Sequence, residues 1–272
     1  MCPVLFMPEN SIRYWQSMTT VDVQGAAKRD PVVILPLAAI EQHGPHLPLS
    51  TDLDIGMGLL ASAFRHLPDD FPAWVLPPQA VGSSREHMRF PGTLSIEPEL
   101  LSGVIHQYGV ALAGCGVRRL LLSNSHGGNR AALDAAGLRL RQERGLLVVK
   151  VSYFELPRPE RLDLPDSEWR HGLHGGAVET AMMLHLCPDL VRTREMRDAR
   201  TLGEDLEGTM RRLSPEGAVS FSWLADDLNR SGVAGDARLA DAAKGERLVA
   251  HYGEALADVI RDVRTFPLER LI

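Results

Sequence analysis

Three short stretches concentrate the residue types that bind metals and move protons. Glu41-Gln42-His43-Gly44-Pro45-His46 runs on to Thr51-Asp52. Ser125-His126-Gly127-Gly128-Asn129 follows an apolar run, and His174-Gly175-Gly176 opens a segment that contains Glu179. Imidazole nitrogen and carboxylate oxygen are the ligand set of hydrolytic Zn2+, Mn2+ or Fe2+ sites. Glu41 and His43 stand two residues apart, so in extended backbone both side chains point to one side. Gly44-Pro45 then turns the chain, and Asp52 returns a second carboxylate. Such a carboxylate can bridge two ions about 3.5–4 Å apart, an arrangement that makes a metal-bound hydroxide at neutral pH. Glu41, His43, Asp52 and His126 are therefore the candidate metal ligands.

Each stretch alone has a plainer explanation. A Glu-x-His triplet is common in surface loops. His126 after a strand reads equally as a buried histidine bonded to backbone carbonyls. Asn129 could cap the helix that follows, and Asp52 a helix beginning near Asp54. These roles do not exclude ligation. The weight comes from all three stretches lying at strand or helix boundaries of one chain.

The elements that must position them alternate. Strands are expected at 32–37, 73–78, 118–124 and 146–154, each a short apolar run. Helices are expected at 54–67, 97–114, 130–144 (closed by Gly145), 176–186 (stopped by Pro188) and 238–263. Residues 156–170, rich in Pro and charge, read as a loop. The alternation implies an α/β fold: one three-layer domain over 1–272, with a mostly parallel central sheet flanked by helices. Ligands of such sheets bind at the carboxyl ends of the strands, and those ends carry the three stretches.

Composition narrows the function classes. The chain has 272 residues and a formal net charge of -6, enough for one sizeable core. No Lys/Arg run is present, which argues against nucleic-acid binding. No apolar run approaches the roughly 20 residues that span a bilayer, and the first fifteen residues do not resemble a signal peptide. The three cysteines, Cys2, Cys115 and Cys187, are odd in number and widely spaced. That argues against a disulfide framework and for a reducing cytoplasm. Cys115, without a neighbouring histidine, reads as core packing.

The sequence resembles the creatininase (creatinine amidohydrolase) family. The resembling stretches are 35–52, 82–95, 123–129, 174–191 and 231–248, and with their spacing they cover most of the chain. The resemblance implies an α/β fold, a two-metal site and a homo-oligomer, often a hexamer. It assigns Glu41, Asp52 and His126 to one metal, and His43 with a bridging Asp52 to the second. The family's creatininase has a glutamate two residues after the matching histidine; here Gly128 stands there. Glu179 is the candidate replacement, either as a ligand or as a carboxylate that orients one. His174 matches a histidine near the substrate and could protonate the departing nitrogen; the plainer role is a bond to backbone. Glu86 and His87 match positions at the pocket mouth, and His46 and Asn129 are expected to orient ligands.

Phe154 and Trp169 stand near the positions of two family tryptophans, but Trp169 is offset by one, which disfavours creatinine. Other branches of the family cleave formyl-pyrimidine amides, trim a cofactor precursor peptide or open an oxidised inositol ring. Segment 221–236 looks unlike the peptide-trimming branch. The expected function is hydrolysis of a non-peptide C–N bond in a small, cyclic amide, dependent on one or two divalent ions (Zn2+, Mn2+ or Fe2+). In that reading His174 and Glu179 are catalytic, and Glu86, His87 and Trp169 bind substrate. A ring-opening hydrolase of a non-amide bond and a non-catalytic binding protein are the alternatives.

Overall fold

The computed structural model describes residues 12–271. Four strands form one parallel sheet: β1 (Val32–Leu37), β2 (Ala73–Val75), β3 (Arg119–Asn124) and β4 (Leu147–Ser152), in the order β2-β1-β3-β4. β1 pairs with β3 along its whole length, from Val32 opposite Arg119 to Leu37 opposite Asn124. Every residue of β1 is buried. That is the signature of a strand covered on both faces, and it explains why its sequence is continuously apolar rather than alternating.

Two helical layers do the covering. On one face, Val33, Leu35, Leu37, Leu120 and Leu122 pack with Leu101, Ile105 and Leu112 of α3 (Pro98–Gly114) and with Leu133, Ala136 and Leu140 of α4 (Arg130–Arg144). On the other, Val32, Ile34 and Leu121 pack with α2 (Thr51–Arg65), α6 (Ala177–Leu186) and α9 (Ala242–Thr265). The alternating side chains of β1 are thus divided between two cores. α1 (Thr20–Ala27) opens with a capping box between Thr19 and Asp22. The rest of the chain adds the short helices α5 (Asp166–His171), α7 (Leu202–Leu206) and α8 (Ala225–Leu228). A two-stranded antiparallel pair, β5 (Asp198–Ala199) with β6 (Gly235–Asp236), completes it. Among the described residues no helix is long and apolar enough to cross a membrane.

Several boundaries differ from expectation. β2 stops at Val75, before the two prolines. The loop expected over 156–170 contains the start of α5. The last helix begins at Ala242, after Asp241 whose side chain accepts the Lys244 N–H. α4 ends as expected on Gly145, at φ 68°, where a side chain would be strained. Cys115 is not core: it is free and exposed. Cys187 is buried and disulfide-bonded, although cysteine number and spacing argued against a disulfide framework. Cys2 and most of the N-terminal segment read for a signal peptide lie outside the described residues.

Candidate metal centre

The chain enters the sheet at β1, adds β2 on one side and then β3 on the other. The order therefore reverses between β1 and β3, where a crevice opens at the carboxyl ends. Glu41 follows β1 and His126 follows β3, so they face each other across that crevice. Asp52 arrives on the first turn of α2, inside the helix rather than at its cap, which is Ser50. Glu179 lies on the first turn of α6.

Glu41 is the centre of the cluster. It is completely buried. Its Oε2 accepts a short hydrogen bond from the Ser84 hydroxyl. Its Oε1 has no hydrogen-bond partner, yet four imidazole nitrogens surround it. These are His126 Nδ1 at 3.3 Å, His87 Nε2 at 3.5 Å, His174 Nδ1 at 3.6 Å and His43 Nε2 at 3.9 Å. Asp52 lies between two of them, Oδ1 3.2 Å from His43 Nε2 and Oδ2 3.4 Å from His126 Nδ1. Asp52 Oδ2 is also buried without a hydrogen bond. A buried carboxylate oxygen left unpaired is costly. Two such oxygens facing imidazoles fit divalent cations. Four sets come within ligand reach: Glu41, His43 and Asp52; Glu41, Glu86 and His126; His43, His174 and Glu179; and Glu41, His87 and His174.

The outer nitrogens of the histidines show which are ready to bind. His43 Nδ1 donates to the Glu41 carbonyl at 3.1 Å, and His126 Nε2 donates to the Ser83 carbonyl at 2.8 Å. A carbonyl only accepts, so each ring turns its other nitrogen to the carboxylates, the orientation that such an outer hydrogen bond gives a metal-bound histidine. His46 stands outside: its Nε2 lies 3.1 Å from the Gly175 carbonyl and 2.9 Å from the Thr180 hydroxyl. It ties the Glu41–Asp52 loop to the start of α6.

Asn129 stands at the N-cap of α4, but its side chain makes no capping hydrogen bond. Its amide spans three segments instead: Oδ1 accepts Ser83 N–H at 2.9 Å, and Nδ2 reaches the Ala38 carbonyl and Asn124 Oδ1, each at 3.1 Å. This holds the 82–95 loop over the ends of β1 and β3. His87, expected at the pocket mouth, is buried beside Glu41. Glu86 is partly exposed, with Oε1 3.4 Å from His126 Nε2. It also fills the room left by Gly128, where a Cβ would come within 2.3 Å of the Ser83 carbonyl and 2.7 Å of Glu86 Oε1. A glutamate at 128 is therefore incompatible with this path of the 82–84 backbone. Glu179 Oε2 accepts the Gly175 N–H at 2.6 Å and lies 3.9 Å from His43 Nε2. Trp169 is packed on the apolar core with the Arg158 guanidinium 5.7 Å from its ring; the described hydrogen bonds and ion pairs do not join it to the cluster.

Burial and charge set the protonation states. Burial opposes a charge on His43, but Asp52, Glu179 and Glu41 outweigh it and hold the imidazole up at about 9. Burial would raise Asp52, yet His43 and His126 hold it down at about 2. Burial pushes Glu179 up to about 7. Burial, then the charge on His43, drives His174 well below its ordinary value, so it rests neutral. Sequence reasoning missed Ser84, Gln42, which binds His87 and His174, and Tyr153, a buried phenol just after β4 whose ionisation is opposed by burial and by the charge of Glu179. Ser84 lies inside the resembling 82–95 stretch, which was the available signal. Tyr153 had only its place after a strand.

The fold and the cluster define an α/β protein with a carboxylate–histidine centre at the carboxyl end of a parallel sheet. Comparison with known proteins makes the class specific. The family model described as creatinine amidohydrolase matches residues 16–260, and the chain belongs to the creatininase family. It is 36% identical over 234 residues to a mycofactocin precursor peptide peptidase of Mycolicibacterium smegmatis, covering 85% of each chain. It is 29% identical to the creatinine amidohydrolase of Pseudomonas putida, covering 87% of this chain and 91% of that one. A solved creatinine amidohydrolase structure superposes with a TM-score of 0.70 at 26% identity, covering 91% of this chain and 96% of that one. A structure described as creatininase Mn gives 0.71 at 26% identity, covering 92% and 98%. A creatininase mutant of Zn-Zn type gives 0.69 at 27%, covering 92% and 97%.

Proposed function

We propose that the protein is a divalent-metal amidohydrolase that splits a C–N bond with water. The observation that carries this reading is the pair of unpaired buried oxygens, Glu41 Oε1 and Asp52 Oδ2, facing histidines whose outer nitrogens are tied to carbonyls. Glu41, Asp52 and His126 would hold one ion, and His43 and Asp52 a second, with Glu179 in place of the carboxylate that Gly128 cannot supply. Bound there, Zn2+ or Mn2+ supplies Lewis acidity and lowers the pKa of water. Glu179, a buried carboxylate 3.9 Å from His43 Nε2, takes the proton of the attacking water and returns it to the departing nitrogen. The C–N bond breaks, the water oxygen stays on the carbonyl carbon, and an amine leaves. His174 rests neutral, with Nε2 donating to the Gln42 carbonyl at 2.6 Å. Burial makes its imidazole a weak base, so Glu179 is the better first proton acceptor.

The substrate reading from the sequence is a small, cyclic, non-peptide amide, with the chain in the cytoplasm as a homo-oligomer. A peptide amide is the second reading, favoured by the higher identity to the peptidase than to the creatinine amidohydrolase. The test is protein stripped of metal and reloaded with Zn2+ or Mn2+, assayed on creatinine, formylated amines, cyclic amides and short peptides. Turnover of one amide class is expected, and Glu179→Gln should lower kcat by about 10²-fold or more. Metal-loaded protein that hydrolyses none of these would overturn the proposal.

A further inference from the structure

Gln42 determines which nitrogen of His87 carries the proton. The Gln42 amide has one possible orientation: Oε1 accepts the Gly44 N–H at 2.9 Å, and Nε2 donates to the Gly232 carbonyl at 2.8 Å. A flipped amide would set oxygen against oxygen and N–H against N–H. The remaining Nε2 hydrogen meets His87 Nδ1 at 2.8 Å. An amide nitrogen cannot accept, so His87 Nδ1 must, and in the neutral ring the proton sits on Nε2. That Nε2–H faces Glu41 Oε1.

His174 is arranged the opposite way by the same residue. Its Nε2 donates to the Gln42 backbone carbonyl, so its lone pair, on Nδ1, faces the site. The two rings stack at 4.1 Å and 30°. With all four rings neutral, as metal binding requires of its ligands, His43, His126 and His174 turn lone pairs toward Glu41, while His87 turns an N–H. Gly232 allows the close approach: it lies at φ +79°, and a Cβ there would come within 2.5 Å of Gln42 Oε1.

We infer that His87 is a catalytic N–H donor to the oxygen of the scissile carbonyl, and not a metal ligand, and that Gln42 is the positioning residue that holds it in that tautomer. The inference rests on the amidohydrolase reading. A neutral donor fixed in a water-poor site stabilises the developing oxyanion without reorganisation, and removing one such donor costs roughly 10²–10³ in kcat.

The experiment begins with the unaltered protein. Long-range 1H–15N correlation spectra of the zinc-loaded chain should show His87 protonated at Nε2 with a free Nδ1. A proton on Nδ1, or zinc on Nε2, would overturn the inference. Gln42→Glu replaces the donor by an acceptor, so the His87 proton should move to Nδ1 and kcat fall about 10²-fold with KM little changed. The Co2+-loaded variant should gain an imidazole ligand in its visible spectrum. Unchanged kcat in a folded Gln42→Glu variant would also overturn it. His87→Asn, which keeps an N–H, should retain more kcat than His87→Leu; equal losses count against a donor role. If the loaded protein hydrolyses no amide, the function fails and the catalytic role with it, while the spectra still decide the tautomer. If it hydrolyses an amide and His87 carries its proton on Nδ1, only the inference fails.

Discussion

Glu41 Oε1, enclosed by four imidazoles and bonded to none, makes the metal-free cluster depend on protons. His43 is held near 9 by Asp52 and its neighbours, and His126 is raised well above its ordinary value. Both are charged at pH 7 in the metal-free protein and must lose that proton to bind an ion. Calorimetry of Zn2+ binding in buffers of different ionisation enthalpy should therefore show release of at least one proton at pH 7, with affinity falling as pH falls. Binding without proton release would contradict this account. His46 gives a separate prediction of the opposite sign. Burial lowers it to about 4, so the fold favours its neutral form. That contribution is fully present above the unfolded value near 6.5. It is lost as pH falls from there to about 4, and amounts to about 3 kcal/mol. Urea midpoints of the wild type should fall more steeply over that interval than those of His46→Asn; parallel curves would rule the effect out.

At the scale of elements, the site is a meeting of loops whose backbones are fixed by two buried side chains. Asn129 joins the ends of β1 and β3 to the 82–95 loop. Asn129→Ala leaves the Ser83 N–H and the Ala38 carbonyl without that partner, and should cost about 2–4 kcal/mol in chemical unfolding. It should also loosen His87. Glu168 performs the same function around α6. Its Oε1 accepts the Ala177 N–H at 2.6 Å and its Oε2 the Asp236 N–H at 2.9 Å. Gly172, Gly176 and Gly235 leave its Oε1 room: a Cβ on any of them would come within 2.7 Å of it. Glu168→Ala should destabilise the start of α6, seen as faster hydrogen exchange at 174–178, with Zn2+ bound more weakly through Glu179. Exchange unchanged there would remove Glu168 from the set of positioning groups.

Across the whole molecule, an ion bound only to the folded chain must raise its stability. At a free Zn2+ concentration a hundred times Kd the gain is about 2.7 kcal/mol, or roughly 5–8 °C in Tm for a chain of this size. Chelation should reverse it, and a Tm indifferent to chelation and reloading would count against a built metal centre. Much of this was legible in the sequence. β1, β3 and β4 are apolar runs because both sheet faces are buried. The residues after them are polar because a parallel sheet ends in loops at its carboxyl edge. Glu41, His43, Asp52 and His126 could therefore be named from local spacing and from the family resemblance. Other features depend on groups far apart in the chain. Glu86 occupies the space that Gly128 leaves, 42 residues later in the numbering. Gln42 reads as the outward neighbour of two ligands, yet Gly232 and His87 turn its amide into the wall of the site. Local sequence determined which residues have the chemistry to bind a metal, because that depends on residue type and on strand and helix period. Only the tertiary structure decided which nitrogen each histidine presents, because that depends on which distant carbonyl or amide meets its other side.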